Sequence, residues 1–304
     1  MSKPTETDGT REGEAVVSRP VPRGAMDVVA LAHSAFAREP GLFAVGVAGL
    51  VISIMCLVAV AARGAFIPPE GKMLDAATFT FGVAVFTLTM ALLLPLAGYS
   101  ERGRRRWRRA YYVFAVYALV LESLQAFRGL DPRFSEAGGQ LDEVAGGIFG
   151  LTAGLNTVLF LILGLRFFRS DVLRDRPTLR LGIRYGAAAV MLSFGVGIIM
   201  SVISGREVGA AGNLLLSHGL GVHAIQALPL LALLLERAAP RAMSWLHAAG
   251  IGWLTASTAA FAQALLGRPP LEMSVLTTLI VLGLMAWAAA TGYSLLSWHQ
   301  AAPA

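Results

Sequence analysis

The stretch GLFAVGVAGLVISIMCLVAVAA, residues 41–62, runs for 22 residues without a charge. About 20 apolar residues in a helix, rising about 1.5 Å each, cross the hydrocarbon core of a bilayer. Seven further apolar runs follow, each bounded by Arg, Gly or Pro: 77–98, 108–128, 146–168, 182–204, 217–236, 242–266 and 271–297. Helices are expected rather than barrel strands, because backbone groups in lipid must be paired internally and strands would be half as long and alternating. The reading is an all-α integral membrane protein, a bundle of about eight transmembrane helices.

Composition agrees. The 304 residues are 56% hydrophobic and 14% charged, against about 25% charged in a soluble domain. Residues 1–24 are polar, with no short apolar core before a small-residue cleavage site, and read as a disordered cytoplasmic tail. Residues 25–40, AMDVVALAHSAFAREP, place Val28, Val29, Leu31, Ala32 and Phe36 near one helical face, as expected of a helix lying on the membrane surface. Residues 41–297 form one bundle, and 298–304 a second short cytoplasmic tail. Cys56 is the single cysteine, which excludes an intramolecular disulfide and a Cys-based zinc site. No connection exceeds about 20 residues, so binding or chemistry belongs in the bundle or at its mouth.

Orientation follows from the basic residues. Of the 25 Lys and Arg, nineteen fall on one side, including the run ERGRRRWRR at 101–109. That side, with both termini, is expected to be cytoplasmic. The Arg run reads as a topogenic loop against anionic lipid headgroups rather than a nucleic-acid site. The partner implied is the lipid bilayer, with a small solute besides; oligomeric state is not legible. No repeat between the first and second four spans is discernible.

An ionisable group inside a span costs about 2.5–3.5 kcal/mol on insertion scales, so such groups are the pointers to function. Glu122, in YALVLESLQAFRG, is the only carboxylate deep in a span. Gln125 and Arg128 follow at three-residue steps on its face. The sixth span carries His218, His223 and Gln226 in HGLGVHAIQALP. The two histidines lie five residues apart, about 140° around a helix, which is not the i, i+4 pair of a zinc-binding HExxH helix. If the third and sixth spans are neighbours, Glu122, Gln125, Arg128, His218, His223 and Gln226 share one depth near the outer surface, with Arg206 nearby. Three functions fit such a group: a pocket that binds or transports a small polar or anionic solute; a haem or metal site on His218, His223 and Glu122; or a non-catalytic scaffold in which the polar group only joins helices. No Ser–His–Asp or paired-carboxylate arrangement emerges, so an enzyme is not favoured.

The run LESLQAFRGLDPRFS, with GREVG and HGLGVHAIQALPLL later, resembles a family of bacterial multi-pass membrane proteins with the pattern QAxRGxxSHFN, then GHTVG, then HFxGxHALQxLP. The resemblance covers about residues 117–235 and implies no activity. Where that pattern has histidines, this chain has Arg133 and Arg206. Two cations in their place repel a metal, and the resemblance therefore implies an anionic ligand or a structural role for both.

Overall fold

The computed structural model describes residues 28–238 and 242–301, with side chains described for 33–236 and 243–297. The expected tail at 1–24 and the extreme C-terminus lie outside the described residues. α1 (Val28–Arg38) precedes α2 (Pro40–Arg63), a hairpin of β1 (Phe66–Ile67) and β2 (Gly71–Lys72), α3 (Met73–Leu93), α4 (Glu101–Phe127), α5 (Gln140–Arg166) and α6 (Pro177–Val202). A second hairpin of β3 (Glu207–Val208) and β4 (Gly212–Asn213) leads to α7 (Leu215–Ala238), α8 (Ala242–Leu265) and α9 (Val275–Ala301). Among the described residues, seven helices are long and apolar enough to cross a membrane. α8 matches them in length and lies along α7 and α9, but Ser, Thr, His and Gln dilute its apolarity. The expected bundle is present. α4 begins at Glu101, so the Arg run is helical. Arg104 and Arg108 meet the fully buried Glu39, which gives part of that run a packing role besides its topological one.

The two hairpins lie at one end of the bundle, hereafter the hairpin face, and the Arg-rich connections at the other. The chain proves to be built twice. Phe66 pairs with Lys72 and Ile67 with Gly71, as Glu207 pairs with Asn213 and Val208 with Gly212. The Met73 amide donates to the Ala65 carbonyl and the Leu214 amide to that of Arg206, both at 2.9 Å. Ser53 Oγ of α2 donates to the Ala77 carbonyl of α3 at 2.8 Å; Ser193 Oγ of α6 donates to the His218 carbonyl of α7 at 2.7 Å. The end of α4 caps the first hairpin, with the Glu70 amide on the Gly129 carbonyl at 2.8 Å, and the end of α8 caps the second, with the Ala211 amide on Gly267 at 3.0 Å. Gly129 and Gly267 both adopt positive φ, 79° and 69°, where a side chain would strain the backbone. Thus α2–α5 and α6–α9 are two halves of the same design. Both start from the Arg-rich end, which makes them parallel repeats.

Within each half, backbones meet through small residues, as lipid-embedded helices require when no hydrophobic effect drives them together. A Cβ on Gly186 would lie 3.0 Å from the Ala224 carbonyl, and one on Gly46 3.2 Å from that of Ala84. α3 and α7, the equivalent helices, touch between the halves.

The halves differ in one respect that builds the site. α9 packs closely along α8, where Gly252 and Gly283 face each other, and also reaches α7. Its counterpart α5 lies more loosely on α4 and leans toward α6. Phenyl rings bridge it to α3: Phe79 to Phe149 at 5.9 Å between centroids, Phe86 to Phe160 at 5.5 Å.

Candidate functional site

α4 turns Trp107, Tyr111, Ala115, Ala118, Glu122 and Gln125 inward, a stripe at helical spacing. Glu122 therefore enters the core, where it is 1% exposed. Its partner is Arg133, whose Nη2 donates to Glu122 Oε1 at 3.1 Å. The Arg133 guanidinium also lies over two rings, 5.3 Å from the Phe79 centroid and 5.7 Å from that of Phe149, an arrangement that favours a cation. Arg133 Nε and Glu122 Oε2 are buried with no hydrogen-bond partner, and so is Asn156 Oδ1 of α5. Asn156 shares the α5 face of Phe149 and Phe160. It therefore lies between two aromatic levels, Phe79 and Phe149 with Arg133 above it, and Phe86, Phe160 and Phe194 below, the last two 5.7 Å apart.

The connection that delivers Arg133 is fixed on several sides. Asp131 Oδ1 accepts the amides of Arg133 and Phe134, both at 2.9 Å, a local turn made by an Asp side chain. Glu70, from the first hairpin, accepts from Ser135 Oγ at 2.5 Å and from the amides of Asp131, Glu136 and Ala137. These donors, Ser135 foremost, hold the Glu70 carboxyl down at about 2. Gly146 of α5 lets the loop lie close, since a Cβ there would be 2.5 Å from the Arg133 carbonyl. The α4–α5 connection has twelve residues, 128–139, against nine, 266–274, in the second half; the longer loop reaches into the space that the displaced α5 leaves.

The other residues singled out from the sequence fall into separate places. Gln125 Nε2 donates to Asp142 Oδ1 at 2.9 Å, and Arg128 Nη1 lies 2.5 Å from both Gln125 Oε1 and Asp142 Oδ1. This group sits at the mouth and ties α4 to the start of α5. Arg206 pairs with Asp75 Oδ2 at 3.1 Å, joining the second hairpin to α3. His218 Nδ1 faces the Ser193 carbonyl at 2.9 Å and packs on Gly197. His223 is exposed. Gln226 meets Thr89 of α3 at 3.1 Å; with its amide turned to satisfy both ends, its nitrogen donates to the His223 and Val222 carbonyls. α4 packs on α2, α3 and α5, and α7 on α6, α8, α9 and α3. The third and sixth crossings are thus not packed as partners: α3 lies between them, and the six residues do not converge.

The repeat separates scaffold from site without any relative to compare. Gln125 has a counterpart in Gln263, whose Oε1 accepts from Thr277 Oγ1 at 3.0 Å; Asp142 and Thr277 are each the third residue of the following helix. The sequences there read QAFRGLDP at 125–132 and QALLGRPP at 263–270. Gln125 is therefore an architectural residue of both halves. Glu122 matches Ala260, and His218 matches Ala77; Arg133 belongs to the longer loop. These polar groups are unique to one half, as expected of groups kept for something other than packing.

Among the described residues, no three His, Cys, Asp or Glu side chains lie together as a metal site would need. The two surface grooves of note, about 410 Å³ between α8 and α9 and about 160 Å³ between α5 and α6, are lined almost wholly by apolar residues. No family model, curated protein or solved structure matches the chain.

Proposed function

We propose that this chain is a bacterial inner-membrane protein, both termini cytoplasmic, that binds or transports a small anionic solute at Arg133. The observation that carries this reading is a half-buried cation whose bonding is half used. Arg133 spends one nitrogen on Glu122 and leaves Nε buried without an acceptor. A guanidinium presents a planar fork suited to two parallel hydrogen bonds from a carboxylate or similar anion. The phenyl rings of Phe79 and Phe149 beside it supply apolar surface for the rest of the solute. Two parallel four-helix halves also support the reading, because many carriers are assembled from such repeats. Resemblance to the bacterial family with the QAxRG and HxxGxHAxQxxP motifs is part of the same proposal and adds no substrate.

The test is a thermal-shift series on detergent-purified protein with acetate, benzoate, chloride and phosphate. At least one anion raises Tm for wild type. Arg133→Lys keeps the charge opposite Glu122 but loses the fork, so it folds and responds at least several-fold more weakly. If none of the four anions shifts Tm, or Arg133→Lys responds as wild type does, Arg133 is a packing residue and the proposal falls.

A further inference from the structure

Resting on that reading, we propose that the anion competes with Glu122 for Arg133, so that one monovalent anion binds together with one proton taken up by the Glu122 carboxylate. Geometry carries the argument. Among the described residues, Glu122 alone faces the Arg133 guanidinium with a formal negative charge in hydrogen-bond contact. Glu122 is almost wholly enclosed and has one oxygen already unpartnered. An anion that occupies the fork of Arg133 would stand within a few ångströms of that carboxylate. Two negative charges at such range beside an enclosed carboxylate repel strongly; one is neutralised by a proton, as in any closely coupled carboxylate pair. The anion held by the fork keeps its charge, and the displaced carboxyl is the one left without a cation. A proton on Glu122 also gives it a donor that can reach the bound anion, so the same event repairs the unpaired acceptor.

The surroundings do not offer another proton carrier at the same point. The charged groups acting on Glu122 are Arg133 and Asp131 from the loop and Asp75 from α3. Asp75 is committed to Arg206, and Asp131 to loop amides. From α2, Cys56 is the titratable neighbour, and from α7 His218 is tied through Nδ1 to the Ser193 carbonyl. α5 contributes Asn156, which does not titrate. Coupling an anion to a proton makes the bound complex carry no net added charge, which lowers the cost of moving it through lipid.

The experiment is calorimetric titration of the detergent-solubilised protein with benzoate between pH 7.5 and 9.5, where benzoate is fully ionised. Linkage to one proton weakens binding by about tenfold for each pH unit. Wild type is expected to follow that slope. Glu122→Gln, which presents a neutral amide in place of the carboxylate, is expected to bind with the same affinity across the range. Cys56→Ala keeps the wild-type slope and so excludes the thiol. Benzoate binding that is flat with pH in wild type, or equally sloped in Glu122→Gln, overturns the proton coupling and leaves the anion site standing. Absence of benzoate binding in both proteins at every pH overturns the anion site itself, and the coupling with it.

Discussion

Replacing Arg133 by Met should be far more damaging than replacing Glu122 by Gln, although the two residues form one pair. Met keeps a flexible apolar stem between Phe79 and Phe149 while removing the charge. Glu122, 1% exposed, is then left without its cation. Breaking a buried pair from one side costs about 3–5 kcal/mol. Arg133 is 27% exposed, so the pair is partly solvated and a cost somewhat below that range, about 2–3 kcal/mol, is the expectation. Glu122→Gln leaves an amide oxygen for Arg133 to bond and a cation that still reaches solvent; its expected cost is about 1 kcal/mol or less. The double variant should cost less than the sum of the two by about 2 kcal/mol, because the charge stranded by Arg133→Met is absent from it. Reversible unfolding in mixed micelles, followed by far-ultraviolet circular dichroism, gives all three values. Equal costs for the two single variants, with strict additivity in the double, would refute the claim that a desolvated ion pair holds this loop to α4.

Two further outcomes follow from the same coordinates. Gly71→Ala and Gly212→Ala should destabilise alike, by about 1–3 kcal/mol each, since a Cβ would lie 2.8 Å from the Ala126 carbonyl in one and 2.1 Å from the Ala264 carbonyl in the other; Gly147→Ala, where nothing stands within 4 Å, is the control, and unequal losses in the same unfolding assay would argue against equivalent caps. The Glu70 carboxyl is held at about 2, below its ordinary 4.5. A group lowered on folding contributes stability above its unfolded value and loses it as pH falls. Wild type should therefore lose stability between about pH 4.5 and pH 2 that Glu70→Gln never has, and parallel pH profiles for the two proteins would count against the latch on the α4–α5 loop.

How much of this was legible in the chain differs from residue to residue. Glu122 stood out because a carboxylate in an apolar run is expensive wherever the helix packs. Its partner did not. Arg128, His223 and hydroxyls were the neighbours available along the sequence, yet the structure brings in Arg133, eleven positions on, through a loop shaped by Asp131 and Glu70. Arg133 and Arg206 were legible as cations at the hairpin face, without any sign of what they meet. The repeat was present as QAFRGLDP and QALLGRPP, but four matches in eight are inconspicuous among so many Ala, Leu and Gly. They gain meaning only when both segments are seen capping matching hairpins.

Hydropathy alone determined that the chain is a helical membrane bundle, because a backbone without water must satisfy itself locally and only helices of about 20 residues do so from one segment. Length and charge also gave the order of the spans, but not every boundary: α4 runs through the Arg-rich stretch that charge alone reads as a loop. Which helices meet was beyond the sequence: every span is apolar on most sides, and lipid is as good a neighbour for Leu as another helix. That choice was left to small residues such as Gly46, Gly186 and Gly252, to single hydrogen bonds such as Ser193 to His218, and to the lean of α5. Those contacts, scattered far apart along the chain, set Arg133 against Glu122 and separated the third crossing from the sixth.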